Sequence, residues 1–236
     1  MSRTQHVAEH LRDAILRGDY TAGDRLPAER ELAEQLGVGR SSVREAFKKL
    51  EQLGLVEIRH GDGALVRPLQ EASLDILPHL LTLDGELDVG LLEQWLEARE
   101  ELMSAAVGLA ATRASDDQFD SMRDRLAALV DPGIGDVEYF DRLAGLEKLV
   151  SLVSRNLILR LVRVGLGSAL PTTQARRQLR PPLAVLEPLV KELDRAIQDR
   201  DPAAAQRAAR GLFRANQRSL LAGLAPTGRD PEGVDP

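Results

Sequence analysis

The chain has 236 residues, a net charge of −6, 43% hydrophobic residues and no cysteine. The length suits one large or two modest domains, and the lack of cysteine excludes disulfide bonds, thiolate metal sites and a cysteine nucleophile. No apolar run approaches the roughly 20 residues of a membrane span, and the first residues are too polar for a signal peptide. We therefore expect a cytoplasmic globular protein with no membrane partner.

The negative charge is confined to one part of the sequence. Residues 1–70 contain 11 basic and 11 acidic side chains, whereas the rest contains 20 basic and 26 acidic ones. The first part is punctuated by Gly and Pro and contains a β-prone stretch, while the second has a helical pattern almost throughout. The sequence therefore predicts a first domain over residues 1–69, a linker over 70–75, an all-α domain over 76–224 and a disordered tail over 225–236.

The N-terminal part has the pattern of a winged helix-turn-helix. Apolar residues at helical spacing predict helices over about residues 4–18 and 28–36, and a third helix that ends near Leu53. Either Gly39 or Ser42 can serve as the N-cap of the third helix. Two β-prone runs separated by a glycine-containing turn follow and predict a hairpin. Three helices with a tight turn between the last two, followed by a hairpin, form a winged helix-turn-helix.

The C-terminal part predicts a helical bundle. Asp116 and Asp201 are candidate helix caps, and no strand pattern is convincing. The fold class is therefore mainly α, with an N-terminal winged helix-turn-helix and a C-terminal all-α bundle of six to seven helices. The predicted helices cover about residues 73–83, 89–115, 116–130, 136–151, 157–170, 182–199 and 202–224.

The third helix has one apolar and one polar face, which favours DNA binding. Residues 39–49 contain four basic side chains and one acidic side chain, a local charge of +3. A helix of this kind fits the major groove, where Arg40 and Arg44 can contact guanine, and Ser41 and Ser42 suit phosphate oxygens. The alternative is an ordinary solvated face, but the winged context favours DNA.

The turn of the hairpin contains His60 and Gly61. At the tip of a wing beside a recognition helix, both residues can enter the adjacent minor groove. The alternative is a polar hairpin turn without a contact.

Three blocks of the sequence together resemble the signature of GntR-type bacterial transcription regulators. They are residues 26–33 (LPAERELA), 37–46 (GVGRSSVREA) and 54–61, within a match that spans most of residues 7–67. The resemblance implies a regulator that binds a palindromic operator as a homodimer. Gly39 stands where many members have a hydroxyl residue, so only its backbone amide can replace that contact. Carried over by position, the DNA contacts fall on Arg30, Gly39, Arg40, Ser41, Ser42, Arg44, His60 and Gly61.

The second domain resembles the effector-binding domain of the FadR branch of this family. Many members hold a divalent metal there with one Asp and three His, whereas no histidine follows His79 in this chain. The matching positions are approximately Val137, Asp141, Val190 and Leu212, so we predict no metal site and no cofactor. Asp141 alone has the simpler interpretation of a solvated or capping carboxylate.

Two classes of effector remain open. Apolar residues in place of the metal ligands favour a long apolar cavity, and residues 71–84 resemble the linker of the metal-free, fatty-acyl-responsive members, which implies a long-chain acyl-CoA. The alternative is a small organic or sugar acid, for which Arg99 is the main interior cation. Arg99 can instead form a structural ion pair with Glu97, Glu100 or Glu101. The predicted effector-binding residues are Leu96, Arg99, Asp141 and Arg214.

An enzymatic function is disfavoured. Catalysis needs a nucleophile with a base, or a metal. All four histidines lie in the predicted DNA-binding or linker segments, and no paired acid motif accompanies them. We predict no catalytic residues, and a protein whose partners are operator DNA, a small-molecule effector and a second copy of the chain.

Overall fold

A computed structural model of the protein describes residues 2–59, 63–167 and 180–224. The chain divides into two compact units between Gln94 and Trp95, and a short stretch beginning at Gly165 groups with the first unit. No helix in the described ranges is both long enough and apolar enough to cross a membrane. The predicted disordered tail, 225–236, lies outside these ranges.

The first unit contains the predicted winged helix-turn-helix. It comprises α1 (Arg3–Arg17), α2 (Glu29–Gln35), α3 (Arg40–Gln52), β1 (Val56–Arg59) and β2 (Gly63–Val66). The two strands pair in antiparallel register, and the segment before α2 adds a bridge to β2. The apolar faces of α1 and α3 fill the core, with Val7, Leu11, Val43, Phe47 and Leu50 almost fully buried.

The segment predicted as a linker packs onto the first unit instead. Residues 69–71 and 74–76 form 3-10 turns, and the amide of Ser73 donates a hydrogen bond to the carbonyl oxygen of Leu53 over 2.9 Å. Ile76 is buried in the same core as α1 and α3. The compact unit consequently continues past the expected boundary at residues 70–75.

The prediction of a single helix over residues 73–83 is wrong. Only α4 (Leu77–Leu81) is α-helical, and a further 3-10 turn covers residues 83–85. Thr82 has non-helical φ and ψ angles of −136° and 48°, and Asp84 adopts a positive φ of 54°, so the helix cannot continue through them.

The second unit is an all-α bundle, as predicted. Within the described residues it uses α5 (Val89–Arg113), whose first turns belong to the first unit, and no strand. Its core joins residues from all parts of the unit, including Tyr139, Leu186 and Leu212. The other helices are α6 (Asp116–Ala127), α7 (Asp136–Val153), α8 (Leu157–Gly167), α9 (Leu183–Gln198) and α10 (Pro202–Leu224).

Candidate nucleic-acid interface and effector site

The two faces predicted for α3 are present. Val43, Ala46, Phe47 and Leu50 are buried against the rest of the first unit. The opposite face consists of exposed polar side chains, which we call the α3 polar face: Arg40, Ser41, Arg44, Glu45 and Lys48. The helix therefore presents its cations to solvent, where a DNA groove can accept them.

The N-cap of α3 is Gly39 and not Ser42. Gly39 has extended backbone angles (φ −75°, ψ 148°), and its carbonyl oxygen accepts a hydrogen bond from the amide of Ser42 over 2.9 Å. Gly39 provides no capping side chain. The first-turn amides of a helix point along its axis and suit an anion. Because Gly39 has no side chain, it does not hinder a phosphate from approaching these amides closely.

Arg44 is held by an acid that the sequence pattern did not assign to the interface. Its Nη2 and Nε donate to the carboxylate of Glu29, at the start of α2, over 2.8 and 3.0 Å. The hydrogen bond from Arg44 lowers the pKa of Glu29, so this carboxylate stays ionised at neutral pH. The side chains are 63% and 31% exposed, so solvent screens the pair and DNA can replace Glu29.

The remaining predicted DNA contacts have the following positions. Arg30 is exposed on α2 and pairs with Glu34 over 3.1 Å. Ser41 is exposed and Ser42 is partly buried at the start of α3. Lys48, also on the α3 polar face, pairs with Glu45 over 2.9 Å. The predicted wing contacts, His60 and Gly61, lie outside the described residues.

Among the residues that the structure describes, the second unit encloses a small apolar cavity. Its volume is about 20 Å³, which suffices for about one water molecule. Val190 and Leu212, at two positions where other members have metal ligands, are buried, and Leu212 helps to fill this space. The cavity is lined by Met103, Val107, Leu126, Leu143, Leu146, Glu147, Val150, Leu193, Ile197, Ala209, Leu212 and Phe213.

Arg99 forms an ion pair, with a partner that the sequence did not suggest. Its Nη2 donates to Glu147 over 2.5 Å, and its guanidinium lies 5.6 and 5.7 Å from the ring centroids of Trp95 and Phe213. Glu147 is only 8% exposed, and Arg99 is 25% exposed. The sequence feature that could have identified Glu147 is an acidic residue at a position of α7 that faces the core, between Leu146 and Val150.

None of the predicted effector residues lines the cavity, although Glu147, the partner of Arg99, does. Leu96 is buried on α5 but is absent from the cavity wall, and Asp141 is exposed on α7. Arg214 is 62% exposed and donates from Nε to the buried Glu100 over 2.8 Å. In the parts of the chain that the structure describes, no three acidic or histidine side chains are grouped to hold a metal ion.

Family models match both units. The model of bacterial regulatory proteins of the gntR family matches residues 3–66, and the FCD domain model matches residues 94–215. The chain belongs to the GntR family. The FCD match begins at the residue where the first compact unit ends, and FCD domains are the effector-binding domains of these regulators.

Individual relatives are named as regulators. The HTH-type transcriptional regulator Mce2R of Mycobacterium tuberculosis is 35% identical over 230 residues, which cover 93% of this chain and 92% of that protein. A fatty acid metabolism regulator protein of Vibrio cholerae is 38% identical over 95 residues, 40% of this chain and 34% of that protein. This GntR protein is therefore a transcription regulator, which confirms the prediction that it is not an enzyme.

A solved structure has a similar fold. The solved structure of Lar, which controls the expression of the Listeria monocytogenes agr system, matches with a TM-score of 0.52 and 17% sequence identity. The match covers 94% of this chain and 98% of that one. At that identity, the similarity concerns the fold alone.

Proposed function

We propose that this GntR regulator binds a palindromic operator as a homodimer, and that an effector in the second unit changes its affinity for DNA. The N-terminal unit, extended from residue 69 to residue 94, would bind the operator. The effector can act only if it binds one arrangement of the two DNA-binding units more tightly than the other. Because α5 is continuous across the division at Gln94, its first turns are the expected route of that signal.

The observation that carries the DNA-binding proposal is the α3 polar face. Arg40 and Arg44 lie at the N-terminal end of a helix whose opposite side is buried in a winged helix-turn-helix core. Arginine forms bidentate hydrogen bonds with O6 and N7 of guanine. Each arginine of this face is therefore proposed to contact a base in one operator half-site.

Replacing Arg44 tests the DNA-binding proposal. Arg44→Ala should weaken operator binding by about 1–3 kcal/mol and relax the sequence preference, as measured by mobility shift at fixed salt. Lys191→Ala is the matched control, because it removes one charge from an exposed side chain in the second unit. Unchanged affinity and preference in Arg44→Ala would contradict the assignment of α3.

The proposed dimer needs an apolar surface on each copy. The first domain carries no net charge, so one copy has little global attraction for DNA and depends on a second copy for affinity. The face of α8 exposes Leu157, Ile158, Leu161 and Val164, each more than half accessible. Such a row of exposed apolar side chains is typical of protein–protein contacts, and we assign it to the second copy.

Sedimentation measurements test this dimer surface. Leu161→Glu should shift the protein from dimer to monomer, because the charge would be buried in the contact. Val137→Glu, at another exposed apolar position but on α7, should leave the dimer intact. A Leu161→Glu protein that remains dimeric would contradict the assignment of α8.

For the effector we propose a ligand with an apolar acyl chain, a long-chain acyl-CoA being the first candidate. The support is the lining of the cavity, which is apolar apart from Glu147. The similarity over 95 residues to a fatty acid metabolism regulator supports the same class. At about 20 Å³ the space must open to admit an acyl chain, so binding is expected to separate the helices that line it.

A small organic or sugar acid is the second candidate, favoured by the position of Arg99 beside the cavity wall. Glu147 already neutralises this cation, so the acid would have to displace a buried carboxylate. A thermal-shift panel of acyl-CoAs of several chain lengths and of citrate-like acids separates the two. Stabilisation by acyl-CoA alone supports the acyl proposal, whereas stabilisation by small acids alone contradicts it.

A further inference from the structure

Arg180, which the sequence did not single out, has one edge of its guanidinium buried without a partner. Its Nε and Nη2 atoms are inaccessible to solvent and make no hydrogen bond. Leaving two buried N–H donors of a charged group unsatisfied is costly, and such groups are rare in folded proteins. Nε and Nη2 are also the two atoms whose N–H bonds run parallel, and so form the bidentate edge for a carboxylate.

The rest of the side chain is fixed, so this edge has a defined direction. Nη1 donates to the carbonyl oxygens of Asp131 and Ile134 over 3.0 and 3.1 Å. The guanidinium lies 5.5 Å from the centroid of the Tyr139 ring, and the backbone amide of Arg180 donates to Asp136 over 2.9 Å. The plane of the guanidinium is thus held by two carbonyls and an aromatic ring.

The nearby carboxylates do not occupy the unpaired edge. Asp136 accepts the backbone amide of Arg180, and the carboxylate of Asp131 accepts hydrogen bonds from the amide of Gly133 and from Arg142. Arg99 and Arg214, the cations expected to bind an effector, are each paired with a buried glutamate. Arg180 therefore differs from them, because its charge has no carboxylate partner on its bidentate edge.

The Tyr139 ring connects this position to the apolar interior of the second unit. The Tyr139 hydroxyl donates to Oδ1 of the buried Asn216 over 2.9 Å. Tyr139 lies one helical turn before Leu143 on α7, and Asn216 lies one turn after Leu212 on α10, and both of these leucines line the cavity. An acid bound at Arg180 would thus contact the layer next to the cavity.

From these contacts we propose that the Nε–Nη2 edge of Arg180 binds one carboxylate group of the effector. The inference rests on the proposed function, in that it assigns the acidic group of the ligand to a residue of the effector domain. The carboxylate can belong to an apolar-chain acid, whose tail would enter the opened cavity, or to a small dicarboxylate. It cannot be the thioester of an acyl-CoA, which carries no carboxylate at the acyl carbon, so this inference favours a free acid over the acyl-CoA that is the first candidate above.

Calorimetric titration of the full-length protein with octanoate, octanamide, succinate and octanoyl-CoA tests this assignment. We expect octanoate or succinate to bind, and the one that binds identifies the source of the carboxylate. If octanoate binds, octanamide should bind at least ten-fold more weakly, because a neutral amide cannot accept two charge-assisted hydrogen bonds. Octanamide binding as tightly as octanoate would overturn the proposal.

Two variants and a matched control locate the site. Arg180→Gln and Arg180→Lys should each weaken binding of the acid at least ten-fold, because neither side chain presents a bidentate cationic edge. Arg180→Lys retains the charge and a donor for the carbonyls, so it remains informative if Arg180→Gln does not fold. Arg123→Gln removes an arginine of α6 that is hydrogen-bonded to Asp194 and should leave the affinity unchanged.

Failure of this inference can be distinguished from failure of the proposed function. Equal affinity of octanoate for Arg180→Lys and the parent protein overturns the assignment of Arg180 and leaves the acyl proposal standing, whereas equal affinity of succinate for the two proteins overturns the assignment of Arg180 and favours the small-acid candidate. Binding of octanoyl-CoA without binding of octanoate or succinate also overturns the assignment of Arg180 and leaves the acyl proposal standing. Absence of binding by any of these ligands, with operator binding intact, overturns the Arg180 assignment, and the thermal-shift panel of acyl-CoAs then decides the long-chain acyl proposal.

Discussion

The arginines of the two units have opposite surroundings. On α3, Arg44 is paired with Glu29 in an arrangement that is largely open to solvent. In the second unit, Arg99 and Arg214 are paired with Glu147 and Glu100, carboxylates that are only 8% and 7% exposed. Screened pairs exchange partners at little cost, whereas separating a pair that includes a buried carboxylate is expensive. The first arrangement suits recognition, and the second holds helices together.

The largest expected effect comes from breaking the buried pair of the second unit. Arg99→Ala should lower the free energy of unfolding by about 3 kcal/mol, because Glu147 is left buried without a counter-ion. Urea denaturation of the two proteins measures this difference. Arg44→Ala, in the same assay, should change stability by less than about 0.5 kcal/mol. Equal losses in both variants would remove the distinction between the two kinds of pair.

In the first unit, close backbone packing at Gly54 should matter more than its exposed ion pairs. Gly54 has a φ of +73°, and a Cβ atom there would lie 2.9 Å from the carbonyl oxygen of Glu71. Gly54→Ala should therefore destabilise the protein by about 2 kcal/mol or more in urea denaturation. Gly37→Ala is the control, because Gly37 has a φ of +64° with no atom within 4 Å of the added Cβ. A larger loss in Gly37→Ala would show that the packing of residues 71 and 72 on Gly54 is unimportant.

Alkaline pH should destabilise the second unit through Tyr139. Burial raises the pKa of Tyr139 to about 12. The folded protein therefore favours the neutral phenol. The stability that this preference contributes is fully present below the unfolded pKa of about 10 and is lost as the pH rises towards 12. Stability should fall by up to about 2 kcal/mol across this interval, and Tyr139→Phe should reduce that fall. The same fall in stability in the parent protein and in Tyr139→Phe would show that Tyr139 does not cause it.

The smallest effect is expected from freeing Arg44. Glu29→Gln removes the partner of Arg44 and one negative charge beside the DNA, so affinity for operator and for random DNA should rise by about three- to ten-fold. Because the pKa of Glu29 is lowered, the carboxylate is ionised throughout pH 6–8, and the gain should not vary over that range. Mobility shifts at three pH values measure it, with Glu187→Gln on α9 as a control. A decrease in affinity would mean that Glu29 positions Arg44 for binding.

The sequence predicted the elements whose signal is local. The apolar spacing of Val43, Phe47 and Leu50 indicated the buried face of α3, and Gly18, in the left-handed conformation at φ +85°, ends α1 as expected. The first residue of α6 was predicted correctly, but its N-cap was placed one residue late, at Asp116. Ser115 is its N-cap, with Gln118 completing a capping box, and Asp116 instead pairs with Arg200.

The contacts of the site were less predictable because they join residues distant in sequence. Arg99 pairs with Glu147, 48 residues away, although three glutamates on its own helix were nearer candidates. Arg180 is positioned by carbonyls 46 and 49 residues before it, and no spacing rule connects them. Ile76 was assigned to the second domain, beyond a linker over residues 70–75, yet it is buried in the core of the first unit because the tertiary core has a place for it.

The assignment of α3 as the recognition helix is tested most directly by selecting duplexes from a random DNA library with the parent protein and with Arg44→Ala. If α3 of each copy contacts one half-site, the parent protein should enrich a single palindrome with half-site centres about one helical turn apart. Arg44→Ala should lose preference at one position in each half-site and retain the rest. Enrichment of the same sequence with equal preference by both proteins, or of no sequence by the parent protein, would contradict the assignment of α3 as the recognition helix.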